Sequence, residues 1–127
     1  MDTRVLVDPR RSLGQVGESL AARYFSEAGA EVVERNWRCA EGELDLIVRE
    51  PDGQIVAVEV KTRRGLGFGD PLEAVTAAKQ ARLRRLLGCW LRDHPDVVAP
   101  AVRVDAIGVL IAPGQQIQLR HVTGVGR

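Results

Sequence analysis

Aromatic residues are scarce in this chain: two Trp, two Phe and one Tyr make up 4% of its 127 residues. Aliphatic side chains must therefore supply most of any core. Cysteine is nearly absent as well. Cys39 and Cys89 form no Cys-x-x-Cys pair, which excludes zinc-ligand spacing and a disulfide framework. Both are expected to be reduced, ordinary residues of a cytoplasmic protein. The two histidines, His94 and His121, have no partner at ligand spacing and are read as ordinary surface residues. No apolar run reaches the length of a membrane span, and Met1 to Arg11 lacks the apolar stretch of a signal peptide. A membrane partner is therefore not expected.

What is present suits a folded domain. Hydrophobic residues make up 45% of the chain, enough for an ordinary core without disulfides or a structural metal. The first 11 residues, polar with one proline, read as a flexible arm, and residues 12–127 read as a single domain. After Ser12, a plausible N-cap, Leu13, Val16, Leu20, Ala21, Tyr24 and Ala28 recur at helical spacing, with Gly29 as the stop. Strands are expected over Glu31–Arg38, Glu43–Arg49 and Gln54–Thr62. The last two form a hairpin around Pro51-Asp52-Gly53. The longest helix is expected from Pro71 or Leu72 to Arg92, followed by strands Ala101–Ile111 and Gln116–Val122. The order is αβββαββ, an α/β arrangement.

The net charge of +1 conceals two opposed segments. Between Lys61 and Arg92 there are eight cations, Arg63 and Arg64 among them, against two anions. Between Glu41 and Glu59 there are six anions against Arg49 alone. An acidic cluster beside a basic stretch suits a cation site next to a phosphate track.

Two segments sharpen this picture. Gly42-Glu43-Leu44-Asp45-Leu46-Ile47 and Val58-Glu59-Val60-Lys61-Thr62-Arg63 each set acidic side chains inside an apolar strand. Burying a charge is costly without a partner or a metal. Strand alternation puts Glu43, Asp45 and Ile47 on one face, opposite Leu44, Leu46 and Val48. It puts Ala57, Glu59 and Lys61 on one face of the next strand. Across a hairpin, Asp45 and Glu59 can converge on one cation. Mg²⁺ or Mn²⁺ takes one or two carboxylates and leaves room for water and phosphate oxygens, and the Val60 carbonyl offers a further ligand. Lys61 would reach the attacking water or the charge developing on phosphate.

The helices add further candidates. Leu72, Val75, Leu83, Leu86, Leu87 and Trp90 share one helical face, and Lys79 lies near its centre. A lysine there must snorkel, pair with a carboxylate or serve a site. Gln80 lies at the edge of that arc, and Arg82 and Arg85 lie beyond the other edge, placed to track phosphates. Glu18, on the flank of the first helix, can reach the metal directly or through water.

These residues resemble the YraN-like family, a bacterial group similar to Holliday-junction resolvases and the PD-(D/E)XK nucleases. The resemblance rests on Gly14-Gln15-Val16-Gly17-Glu18, Asn36-Trp37-Arg38, the two strand segments above, and Gly69-Asp70-Pro71-Leu72-Glu73-Ala74-Val75 followed by Lys79. It implies a restriction-endonuclease-like core, a central mixed sheet flanked by helices. It also implies Asp45, Glu59 and Lys61 as the motif triad, Glu18 as a supporting acid, and Lys79 or Gln80 as the helix-borne residue. Leu44 stands where the superfamily pattern has proline. The function expected is metal-dependent endonucleolytic cleavage of DNA, in branched or single-stranded form, with RNA as a second nucleic-acid class. Cutting a symmetric junction would favour a homodimer. The rival readings are a nucleic-acid-binding module without turnover and a protein-interaction domain that keeps the nuclease fold.

Overall fold

A computed structural model describes residues 12–65 and 76–125. The expected arm, residues 1–11, and the glycine-rich stretch up to Val75 lie outside the described residues. Helix α1 spans Leu13–Glu27, followed by strands β1 (Glu31–Cys39), β2 (Gly42–Arg49) and β3 (Ile55–Arg64). Helix α2 spans Ala77–Asp93, and β4 (Val102–Ile111) and β5 (Gln118–Val122) complete the αβββαββ order.

Local chemistry sets the boundaries. Ser12 and Gln15 form a reciprocal capping box at the start of α1, which satisfies two otherwise unpaired N–H groups. Thr76 is extended and accepts from Lys79 N, so α2 begins at Ala77. The expected start at Pro71 or Leu72 falls outside the described residues. Between β2 and β3, Asp52 Oδ1 accepts from Gln54 N at 3.0 Å, and this side-chain turn closes the hairpin.

The five strands form one sheet in chain order. The β1–β2, β2–β3 and β4–β5 pairs are antiparallel, and β3–β4 is parallel. A parallel neighbour needs a crossover, and α2 lies within it. The sheet is thus mixed and covered by a helix on each face. On one face Ala21, Ala22 and Phe25 of α1 pack on Leu46, Val48, Val56, Val58, Val60, Ile107 and Val109. On the other, Leu83, Leu86, Leu87 and Trp90 of α2 pack on Trp37, Leu44, Ile47, Ile55, Ala57 and Val104. The buried face of α1 is turned from the expected one: Ala22 and Phe25 are buried and Ala28 is exposed.

One departure from strand alternation matters for function. Leu44 shares the α2 side with Ile47, while Leu46 and Val48 face α1. Leu44, Leu46 and Val48 therefore do not share a face, as strict alternation predicts, because β2 breaks its period at Asp45. The β2–β3 ladder runs from Arg49↔Ile55 to Leu46↔Val58. Past it, β3 continues beside β4 as far as Arg64↔Ile111. A fork thus opens between β2 and β3 where Asp45 sits.

Candidate functional site

Asp45 occupies the mouth of this fork. Its Oδ2 accepts from Val60 N at 2.8 Å, so the side chain takes the place of a missing ladder carbonyl. On the α2 side of β3, Glu59 and Lys61 face the same opening, with Lys61 Nζ 3.1 Å from Glu59 Oε1. Helix α2 closes the space above them. Glu43, Asp45, Glu59, Lys61, Lys79, Arg82, Leu83 and Leu86 line a cleft of about 220 Å³. Lys79 is exposed, at the open end of α2 rather than among its buried leucines.

Glu18 approaches from the other helix. It shares a hydrogen bond with Asp45 and another with Asn36, and its burial pushes its carboxyl above the ordinary value against the pull of Arg35. Burial also raises Asp45, and the neighbouring carboxylates Glu59, Glu18 and Glu43 add to the shift, against the Val60 N–H. Its pKa is pushed up to about 7.

Arg82 connects the cleft to the β1–β2 turn. Its guanidinium donates to the Glu41 carbonyl at 3.1 Å. Gly42, beside this contact, has φ at 151°, a backbone that residues with a Cβ rarely adopt.

The donor set fits a hard divalent cation. Among the described residues no three His, Cys, Asp or Glu side chains are grouped to hold a metal ion. Mg²⁺ commonly needs only one or two carboxylates, which Asp45 and Glu59 offer from adjacent strands. Asp45, raised by burial and crowding, is also a group whose ionisation a cation favours.

The structure gathers Asp45, Glu59, Lys61, Lys79 and Arg82 in one cleft, with Glu18 against Asp45. Gln80, Arg85, Arg63 and Arg64 are not among the residues lining it. Arg85 is exposed on α2, and Arg63 and Arg64 end β3. Sequence reasoning passed over Glu43 as a site residue, although it belongs to the Gly-Glu-Leu-Asp segment. It also missed Asn36, whose only signal was its place in the Asn-Trp-Arg motif.

The histidines are not the ordinary surface residues expected. His121 Nε2 lies 2.7 Å from Asp105 Oδ2, and its Nδ1 lies 2.9 Å from the Tyr24 hydroxyl. His94 stacks on Trp90 with ring centroids 4.2 Å apart. Cys39 and Cys89 are both free thiols. No helix among the described residues is long and apolar enough to cross a membrane.

Comparison with known proteins places the cleft in a wider group. The profile of uncharacterised protein family UPF0102 matches residues 17–109, a span that includes every lining residue of the cleft. A UPF0102 protein of Nocardia farcinica is 51% identical over 120 residues, which is 94% of this chain and 92% of that one. One from Rhodococcus jostii is 54% identical over 111 residues, 87% of this chain and 92% of its own length. Among solved structures, the EndoMS–dsDNA2 complex aligns over 87% of this chain and 41% of the matched chain, at 19% identity and a TM-score of 0.43. SfsA of Pyrococcus furiosus in complex with Ca²⁺ aligns over 87% of this chain and 64% of the matched one, at 12% identity and a TM-score of 0.39.

Proposed function

The chain belongs to the UPF0102 family, and from the cleft that lies within the family's span we propose that it is a metal-dependent nuclease acting on DNA. One observation carries the reading: the Asp45 carboxylate sits in a strand fork beside Glu59 and Lys61, in a cleft walled by Lys79 and Arg82. Asp45 and Glu59 would hold Mg²⁺ or Mn²⁺, with the Val60 carbonyl as a further ligand and Glu18 supporting Asp45. When bound, the ion would lower the pKa of a water and offset charge on the phosphate.

The chain's own residues do the remaining work. Lys61, with Nζ 3.1 Å from Glu59 Oε1, lies in the cleft where the scissile phosphate would sit. There it stabilises the charge that develops as water attacks. Lys79 and Arg82 hold the phosphate from the α2 side, and Arg85, Arg63 and Arg64 extend the track beyond the cleft. Gln80 lies beside Lys79 as a second polar contact from the same helix turn.

The test is cleavage of plasmid, single-stranded and branched DNA, with structured RNA as a parallel arm, in Mg²⁺ and in Mn²⁺. Wild-type protein should cut at least one DNA form. Asp45→Ala should abolish cutting, and Lys61→Ala should lower the rate about 100-fold or more, both with unchanged circular dichroism. Salt-sensitive binding without cleavage would instead identify a binding module. Intact DNA in every arm, with no binding at low salt, sinks the nucleic-acid reading.

A further inference from the structure

Asn36 is the only non-glycine residue with a left-handed backbone among the described residues, with φ at 53°. It lies in the interior of β1, where an extended conformation is the rule. Asparagine tolerates this region better than most residues, yet it is uncommon within a strand. Its position is specific. The β1–β2 ladder pairs Arg35 with Leu46 and Trp37 with Leu44, so Asn36 stands across from Asp45. Both strands depart from regular alternation at the same level of the sheet.

The side chain has a matching role. Oriented by its partners, the Asn36 amide Nδ2 donates to both carboxylate oxygens of Glu18, each at 3.2 Å. The neighbouring Arg35 turns toward α1 as well, with Nη2 3.1 Å from Ser19 Oγ. Two consecutive β1 residues thus engage two consecutive residues of α1, which extended backbone would not allow because alternate side chains point to opposite faces.

We propose that Asn36 is a positioning residue: its left-handed backbone breaks β1 opposite Asp45 and aims its amide to hold Glu18 against Asp45. The role in metal binding rests on the nuclease reading above, while the Asn36–Glu18 contact does not. A strained backbone persists where the surroundings enforce it, and such positions gather at functional sites. Here the strain fixes the angle at which a second-tier carboxylate meets a candidate ligand, and residues in that tier orient the ligands they touch.

Two double-mutant cycles test this on the full chain. Asn36→Gly keeps the left-handed backbone accessible and removes only the amide. Titrated with Mn²⁺ by calorimetry, Asn36→Gly should bind about ten-fold more weakly than wild type, and the difference should vanish in a Glu18→Ala background. An equal loss in both backgrounds, or no loss, overturns the metal-positioning role. In metal-free protein the thermal midpoints of Asn36→Gly, Glu18→Ala and the double variant should be non-additive. Additive shifts overturn the contact itself. A wild-type protein that neither binds Mn²⁺ nor cuts DNA defeats the nuclease reading and the metal-positioning role together, while the thermal cycle still decides the contact.

Discussion

At the scale of single residues, Asp45 carries the most information. Burial and three neighbouring carboxylates raise its pKa to about 7, whereas an unfolded aspartate titrates near 3.9, roughly. Between those values the folded state binds more protons than the unfolded one, so stability falls as pH rises through that window and levels off above it. Metal-free protein should therefore lose thermal stability from about pH 4 to about pH 7 on account of this group. Asp45→Asn keeps an oxygen for the Val60 N–H and removes the charge. In chelator at pH 8 it should melt at a higher temperature than wild type, and the gap should shrink at pH 5. A wild-type midpoint at or above that of Asp45→Asn at pH 8 would refute the crowding of charge at the fork. The candidate role of Asp45 was legible in the sequence because it is an acid among aliphatics. The opposite held for His121: its ring gives no periodic signal, and its partner Asp105 lies 16 residues away in a neighbouring strand.

At the scale of elements, the position of α1 decides whether Glu18 reaches Asp45 at all. Gly17 is buried against β3, and a Cβ there would overlap the Thr62 hydroxyl and press on the Thr62 Cβ. Thr62 is β-branched and stiff, so it cannot swing aside easily. Gly17→Ala should destabilise the protein by about 1–3 kcal/mol through overpacking. Thr62→Ala removes the hydroxyl and the γ-methyl and leaves only the Thr62 Cβ, 3.0 Å from the added one, so the double variant should recover most of that loss. Urea unfolding of the three proteins measures it. A Gly17→Ala protein as stable as wild type, or a double variant no better than the single, would show that α1 is not seated by this contact. The helices, the strands and the hairpin were readable because caps, periodicity and turn residues are local signals. The break at Asp45 and Asn36 was not. It arises where two strands part and a side chain replaces a backbone acceptor, and no run of residues in either strand encodes that alone.

At the scale of the whole molecule, β4 and β5 are tied to α1 and to the turn after β2 by one buried carboxylate. Asp105 is fully buried. It accepts from Arg103 Nε at 2.7 Å and Nη2 at 3.0 Å, from Gly124 N at 2.9 Å, and from His121 Nε2. Arg103 also reaches Glu50 at 3.0 Å, and His121 reaches Tyr24. With Asp105 ionised, Nε2 of His121 donates to it, while Nδ1 meets the Tyr24 hydroxyl. The cluster thus joins β4, β5, α1 and the turn after β2. Burial alone would raise the Asp105 pKa, but the bonds from His121, Arg103 and Gly124 overcome it and hold the group below its ordinary value. A depressed carboxylate contributes stability that is present above its unfolded pKa and is lost as pH falls through the folded one. This dependence runs opposite to that of Asp45, and the two act in separate windows. Acid below about pH 4 should therefore release β5 and the chain after it. Asp105→Asn leaves Arg103 with one carboxylate and its remaining donors without a buried charge to meet. The loss should be about 3–5 kcal/mol, and the variant should show a smaller drop in stability than wild type as pH falls below about 4. Urea unfolding across that range provides the check. If the two proteins fall in parallel, Asp105 is not the group through which acid acts. Asp45→Ala should abolish cleavage and Lys61→Ala should slow it about 100-fold, each with this network intact, which separates loss of the candidate site from loss of the fold.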